Sequence, residues 1–188
     1  MSELQDQIPN IRLNAALEAL LFVAGEPVTP DRAAATIGLD ADTVRQALDA
    51  LAAEFGRGGG LQIVRVAGGY QMRTRPELHA AVNAFLQPPA QRLSPQALEA
   101  LAIVAYRQPV TQPELDAIRG VNSDTVLRTL LDRALIREAG RLDAPGRPFL
   151  YRTTDLFLTH FGLDSVDDLP PIEEFASELA VTAQTGDA

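Results

Sequence analysis

Two histidines, His79 and His160, are the residues most suited to chemistry, because imidazole is both a common general base and a common metal ligand. Neither has the partners that such chemistry needs, since the chain contains no cysteine and no HExxH-like spacing. The stretch GRGGG at 56–60 lacks the lysine and the Ser or Thr of a phosphate-binding loop. The paired acids Glu173 and Glu174 lie in a stretch typical of a disordered or weakly helical tail. The sequence therefore predicts no enzyme, no cofactor and no metal site.

Arginine is the residue type that remains for recognition, because all 16 basic residues are arginine and lysine is absent. Residues 55–76 contain no acid but hold four arginines: Arg57, Arg65, Arg73 and Arg75. A second stretch, 135–153, holds four more: Arg137, Arg141, Arg147 and Arg152. Three interpretations stay open for these groups: weak, salt-sensitive contact with DNA, a solvated face, or pairing with an acidic partner or with the chain's own acidic tail.

Five residues of the second half form a predicted partner-binding surface: Tyr106, Arg107, Arg119, Asn122 and Arg147. Arg107 and Arg119 fall at predicted helix ends, where an exposed guanidinium can reach a carboxylate or peptide carbonyls. Arg147 lies at the tip of APGRPFLY, whose prolines stiffen the loop, and a stiff tip loses little entropy on binding. The alternative is that caps, turns and helix packing account for most of these positions.

An internal repeat supplies the elements that position these residues. LEALLFVA at 17–24 returns as LEALAIVA at 98–105, and PVTPDRAAATIGLDADTVRQAL at 27–48 returns as PVTQPELDAIRGVNSDTVLRTL at 109–130. Each copy shows three helical patterns, with Thr29 and Thr111 as caps of the second helix and Gly38 and Gly120 at its end. The period then changes to that of a β-hairpin, over 61–74 and 135–153.

Three helices followed by a two-stranded wing predict two tandem winged-helix domains, in a fold that is mostly α with small β-hairpins (α+β). The predicted divisions are an N-terminal arm (1–11), a first winged helix for dimerisation (12–87), a proline-rich linker (88–93), a second winged helix for partner binding (94–163) and an acidic, flexible tail (164–188).

The charge distribution argues against DNA reading by the third helices. The formal net charge is −9, of which the tail contributes −7 through seven acids, so residues 1–163 carry only −2. The third helix of the first copy, DADTVRQALDALAAEF, has four acids against Arg45, and its counterpart VNSDTVLRTLLDR is balanced at best. A protein that binds DNA tightly needs several well-placed cations, and these helices do not supply them.

The first helix of the first copy is a candidate dimer seam. It is largely apolar over 14–24 and includes Leu17, Leu20, Leu21 and Phe22, which is more aliphatic surface than a small three-helix core requires. The alternative is that these side chains form the core of their own domain, and both can hold on different faces. No run approaches the roughly 18 apolar residues of a membrane span, and the start MSELQDQ lacks an export signal, so we expect a cytoplasmic protein without membrane contact.

The chain closely resembles the segregation and condensation protein B family in three long motifs, AYRQPVTQPELDAIRGVNSDTVLRTLLDRALI, GRLDAPGRPFLY and TTDLFLTHFGLDSVDDLPP, within a similarity over roughly residues 12–175. The resemblance implies tandem winged helices, a homodimer formed through the amino-terminal one, and no catalysis. It also implies binding to the kleisin subunit ScpA and, through it, to the structural-maintenance-of-chromosomes (SMC) ATPase of bacterial condensin, hence association with the nucleoid in chromosome condensation and segregation. The rival hypothesis is a winged-helix transcription regulator that binds DNA through its wings.

Overall fold

The first copy of the repeat folds as three helices and a hairpin in the computed structural model, which describes residues 13–86 and 93–171. This first unit (13–86) contains α1 Leu13–Val23, α2 Pro30–Ile37, α3 Ala41–Phe55, β1 Leu61–Val66, β2 Gly69–Thr74, a 3-10 turn Pro76–Leu78 and α4 His79–Leu86. β1 and β2 pair antiparallel from Leu61 opposite Thr74 to Val66 opposite Gly69.

The turn of this first wing is Ala67–Gly68, so only the first glycine of the pair Gly68-Gly69 lies in the turn. Both turn residues have positive φ, 50° for Ala67 and 71° for Gly68, as a two-residue hairpin turn requires. Gly69 has a different function, since a Cβ there would lie 3.0 Å from the backbone carbon and oxygen of Val28. Val28 bridges to Tyr70 beside it, so Gly69 allows the close approach of that segment to the hairpin.

The second copy repeats the order of elements and adds a third, short strand. This second unit (93–171) contains α5 Pro95–Arg107, β3 Val110–Thr111, α6 Gln112–Arg119, α7 Asp124–Asp132, β4 Ile136–Arg141, β5 Phe149–Thr153, α8 Asp155–Phe161 and a 3-10 turn Val166–Asp168. Its antiparallel sheet has the order β3-β5-β4. The described chain is thus mostly helical with small antiparallel sheets, and the predicted α+β class is confirmed.

The predicted helix caps are present. The Thr29 hydroxyl accepts a hydrogen bond from the backbone N–H of Arg32, and Thr111 and Glu114 form a full capping box at the start of α6. Gly38 and Gly120 end α2 and α6 in the left-handed conformation, with φ of 82° and 71°. These local signals fix where the second helix of each unit begins and ends.

Each unit has its own aliphatic core. In the first, α3 buries Val44, Leu48 and Leu51 against α1 and α2. In the second, Leu101, Leu115 and Leu130 come from α5, α6 and α7 and are 1% exposed or less. The third helix of each unit therefore buries its apolar face in the core and exposes its polar face.

The first helices of the two units, α1 and α5, present different faces to their cores. Leu17 is 1% exposed, whereas Leu98, its partner in the sequence repeat, is 47% exposed. Val104 is fully buried, whereas its partner Val23 is 75% exposed. One residue corresponds to a rotation of about 100° on a helix. If α1 is aligned with α5 one position away from the sequence repeat, buried residues correspond to buried residues again. As a result, α1 turns the Phe22–Val23 pair outward.

The two units touch where the first wing meets the chain after α8. The N–H of Ala67 donates to the carbonyl of Leu163 at 2.9 Å, and the N–H of Gly68 donates to the carbonyl and the carboxylate of Asp164 at 3.1 and 3.0 Å. Arg65 forms an ion pair with the same carboxylate at 3.1 Å. These five residues are called the wing contact below.

The start of the predicted acidic tail is therefore held by the body. Asp164 belongs to the wing contact, and Leu169 packs against the second core. The Tyr106 hydroxyl donates to the carbonyl of Pro170 at 2.6 Å. Asp164, Leu169 and Pro170 of the predicted tail thus contact the rest of the described chain. Residues 1–12, 87–92 and 172–188, which include the predicted arm and almost all of the linker, lie outside the described residues.

Candidate protein-interaction surfaces

Tyr106 and Arg107 lie together at the carboxyl end of α5. Tyr106 is half-buried, and burial raises the pKa of its hydroxyl, which is engaged by Pro170. Arg107 is exposed, and its guanidinium has no hydrogen bond or ion pair within the described ranges. Of this pair, Arg107 is the residue that can meet a partner without breaking a contact of its own chain.

Arg119 is not the exposed cation that its position at a helix end predicts. Its side chain is only 3% exposed, and it bonds to the Glu99 carboxylate through Nε and Nη2, each at 3.1 Å. Its third contact is a bond to the hydroxyl of the fully buried Ser123 at 3.0 Å. The backbone N–H of Ser123 in turn donates to Asp116 at 2.7 Å. Arg119 therefore joins α5, α6 and the turn before α7, and the expectation of an exposed guanidinium was wrong.

Asn122 is exposed, but its side chain has a local partner. The amide oxygen of Asn122 accepts the N–H of Asp124 at 3.0 Å, which orders the turn into α7. This contact fits the architectural alternative.

Arg147 has the exposed, fixed position that the loop sequence predicts. Its backbone has a φ of 41°, its N–H donates to the carbonyl of Ala144 at 2.8 Å, and its own carbonyl accepts from Arg141 at 2.9 Å. The Arg141 guanidinium lies 3.6 Å from the centroid of the Phe149 ring, which holds the loop from below. No described residue pairs with the Arg147 guanidinium.

The five predicted residues do not form one cluster. Arg119 lies beside Glu99, near the amino end of α5, whereas Tyr106 and Arg107 lie at its carboxyl end. The rise of a helix separates these two places by about 10 Å along the axis.

Gln108 is a positioning residue that no sequence signal revealed. Its side-chain oxygen accepts the N–H and the hydroxyl of Thr153 at 2.9 and 3.0 Å, and its amide nitrogen donates to the carbonyl of Ala105 at 3.0 Å. Gln108 thereby attaches the end of α5 to β5, which orients Arg107 relative to the second wing.

The four predicted seam residues of α1 divide between core and surface. Leu17 and Leu21 are buried, and Leu20 packs against that core while half-buried. Phe22 is 74% exposed, and its neighbour Val23 is 75% exposed. The first unit also exposes two apolar residues of α4 that the sequence analysis did not select, Phe85 and Leu86.

The arginines of the first wing are largely committed within the chain. Arg65 binds Asp164, and Arg73 donates to Gln71 and, across the two units, to the carbonyl of Thr159, each at 2.7 Å. Burial lowers the pKa of Arg73. Arg75 donates to the carbonyl of Phe55 at 2.5 Å at the end of α3, so of the four only the exposed Arg57 lacks a described partner. Pairing with the chain's own acidic tail is confirmed for Arg65.

The outward faces of α3 and α7 carry carboxylates. On α3 the exposed Arg45 pairs with Asp42 at 3.2 Å, and on α7 Arg128 pairs with Asp124 at 3.6 Å. Each positive charge is therefore matched by an acid one turn away. Such faces offer no net attraction to phosphate.

Comparison with known proteins places these surfaces in a family. Residues 15–172 match the family described as segregation and condensation complex subunit ScpB. A protein of Moorella thermoacetica named segregation and condensation protein B is 51% identical over 177 residues, which are 93% of this chain and 90% of that protein. The chain belongs to the ScpB family. The resemblance inferred from the three long motifs is thereby confirmed.

Two solved structures are also similar. ScpB from Mycobacterium tuberculosis is 43% identical, with 80% of this chain and 95% of that chain covered and a TM-score of 0.39. A dimer of an ScpB N-terminal domain complexed with an ScpA peptide is 25% identical, with 41% and 94% covered and a TM-score of 0.38. The family assignment rests on the sequence matches. Separately, no helix within 13–86 or 93–171 is long and apolar enough to cross a bilayer.

Proposed function

We propose that the chain is a non-catalytic subunit of the bacterial SMC condensin complex, which forms a homodimer through its first unit and binds the kleisin ScpA through its second. It would reach the SMC ATPase through ScpA, in the cytoplasm and at the nucleoid. Family membership supports this assignment. We further propose that the two units are winged-helix domains with the boundaries 12–87 and 94–163, the second extended by residues 164–170.

The observation that carries the proposal is the exposed apolar surface of the first unit. Phe22 and Val23 are about three-quarters exposed, and Phe85 of α4 is 87% exposed. Burial of one large apolar side chain contributes about 1.5–3 kcal/mol, which makes such a surface costly to leave in water and favourable at a two-fold interface. The helices that a transcription regulator would use expose carboxylates instead, which disfavours that rival.

Dimerisation is tested by the double change Phe22→Ser and Val23→Ser in the full chain. We expect the unchanged protein to sediment as a dimer at micromolar concentration and the variant to sediment as a monomer with an unaltered circular dichroism spectrum. Ile118→Ser is the matched control, because Ile118 is an exposed apolar residue of the second unit. A monomeric unchanged protein, or a variant that still dimerises, refutes this interface.

Kleisin binding is tested by co-purification with the middle segment of ScpA. We expect Arg107→Glu and Arg147→Glu each to weaken capture about tenfold or more, since about 1.4 kcal/mol corresponds to a factor of ten. Arg128→Glu is the control, because Arg128 is an exposed arginine of the same unit that lies on α7. If neither change weakens capture, the proposed surface is wrong even though the family assignment stands. Nanomolar, sequence-selective DNA binding at physiological salt would support the regulator instead.

A further inference from the structure

We propose that the second wing, the hairpin formed by β4 and β5, binds the phosphate backbone of duplex DNA without sequence selectivity, through Arg137, Arg147 and Arg152. This contact does not depend on dimerisation, and it shares Arg147, but neither Arg137 nor Arg152, with the proposed kleisin-binding surface. Of the three interpretations left open for the arginines of both wings, it selects DNA contact for the second wing.

The first supporting observation is a pair of like charges in the sheet. Arg137 lies directly opposite Arg152 in the antiparallel register of β4 and β5, so their side chains leave the same face about 5 Å apart. Like charges in that position destabilise a sheet. Both residues are exposed, and neither has an ion pair or side-chain hydrogen bond within the described ranges. The repulsion is uncompensated within the described chain, and an anion bound between the two guanidiniums would relieve it.

The second observation is the spacing of the three cations. From Arg137 to the end of β4 at Arg141 the strand advances by roughly 10–13 Å, and Arg147 lies beyond that point at the loop tip. Phosphates of one DNA strand follow each other at about 3.4 Å along the axis, so the hairpin covers three or four of them. The Arg141 guanidinium stacks on the Phe149 ring and donates a hydrogen bond to the carbonyl of Arg147. It therefore stiffens the tip and is not one of the three available cations.

The two wings differ in which guanidiniums are available. In the first wing Arg65, Arg73 and Arg75 bind a carboxylate or carbonyls of this chain, so recruitment of DNA there would first break those contacts. In the second wing Arg137, Arg147 and Arg152 are exposed and have no such bonds to described residues.

Around Arg137 and Arg152, phosphate fits this face better than an acidic protein segment does. Protein hot spots are aromatic or arginine side chains buried in well-packed pockets, whereas Arg137 and Arg152 are exposed and the Phe149 ring is already covered by Arg141. Charge alone is sufficient for non-specific DNA binding. The expected ligand is therefore a polyanion with regularly spaced charges.

The test measures fluorescence anisotropy of a labelled duplex of about 30 base pairs, with the full chain, between about 50 and 200 mM salt. Three phosphate contacts predict that the dissociation constant rises about 40-fold over this range. In the double variant Arg137→Gln and Arg152→Gln, one contact is left and the rise falls to about 3.5-fold. The control, Arg32→Gln with Arg45→Gln, removes the same charge from exposed positions of the first unit and should keep the steep dependence.

The outcomes separate the hypotheses. Absence of DNA binding by the unchanged protein at the lowest salt overturns the proposal, and so does a salt dependence that the wing variant shares with the unchanged protein. Loss of capture of the ScpA segment by the wing variant, with DNA binding intact, identifies the face as a protein contact and also overturns it. Retained dimerisation and ScpA capture together with a reduced salt slope support it. A melting temperature at or above that of the unchanged protein shows that the variant is folded.

Discussion

The wing contact between the two units makes the most detailed prediction, for the change Asp164→Ala. This substitution removes the ion pair with Arg65 and the side-chain acceptor of the Gly68 N–H. It leaves the backbone bonds of Ala67 to Leu163 and of Gly68 to the carbonyl of residue 164. The two units should still be able to touch, but the touching state should be less populated.

The magnitude follows from the exposure of the partners. The Arg65 and Asp164 side chains are 60% and 30% exposed, so their ion pair contributes at most about 0.5 kcal/mol after solvent screening. The hydrogen bond from Gly68 contributes about 1 kcal/mol. The sum, at most about 1.5 kcal/mol, corresponds to a roughly tenfold larger population of the separated state.

Hydrogen exchange is the assay, because the amides of Ala67 and Gly68 are donors in the wing contact. We expect both to exchange about tenfold faster in Asp164→Ala, in line with the larger separated population. Asp167→Ala is the matched control, because its carboxylate is three residues away, exposed, and makes no bond to the wing in the described structure. The chain has no cysteine, so a pair of introduced cysteines, one in each unit, can carry dyes for a distance measurement in parallel. Unchanged exchange in Asp164→Ala, or an equal effect of Asp167→Ala, would refute the assigned role of this carboxylate.

Three further predictions concern stability. Arg119→Ala leaves the buried Ser123 hydroxyl without its donor and should lower the free energy of unfolding by about 1–3 kcal/mol. Calorimetry should show this as a melting temperature lower by several degrees, and Glu99→Gln should have a much smaller effect. Equal losses of stability in the two variants would contradict the burial of the guanidinium. Leu17→Ala should lower the free energy of unfolding, measured with denaturant, by about 2–5 kcal/mol, and Leu98→Ala should lower it by less than about 0.5 kcal/mol. Similar values for the two variants would refute the different orientations of α1 and α5. Hydrogen bonds in the capping box lower the pKa of Glu114 from 4.5. The stability that Glu114 contributes is therefore complete above that pH and is lost as the pH falls through the lower pKa of the folded state. Glu114→Gln should flatten this loss in acid titrations of stability, and an unaltered profile would refute the assigned role of Glu114.

The local features of the fold could be predicted because their causes are local. Thr111 with Glu114, and Gly120 after α6, are caps whose bonds lie within a few residues, and they are found as expected. Alternating and helical periods likewise locate the hairpins and the buried faces of α3 and α7, since the same residues that set the period also fill the core.

The candidate site was predicted less completely, because exposure depends on neighbours that are distant in sequence. Arg119 and Arg147 both look like cations at the end of an element. Only the packing of α5 against α6 brings Glu99 to Arg119, while the proline-rich loop holds Arg147 away from the body. The exposure of Phe85 was not predicted, because a short apolar stretch does not show which of its side chains pack against the core.

The sequence by itself determined the repeat, the helix caps, the hairpins and the family, since each is written in neighbouring residues. Tertiary structure decided which charges remain free. Folding brings Asp164 to the first wing and leaves the arginine pair of the second wing unmatched, because ion pairing depends on distances between residues that the chain places far apart. The same packing turned Phe22 outward on α1, whereas Ile103, its counterpart in the repeat, is partly buried against the second core.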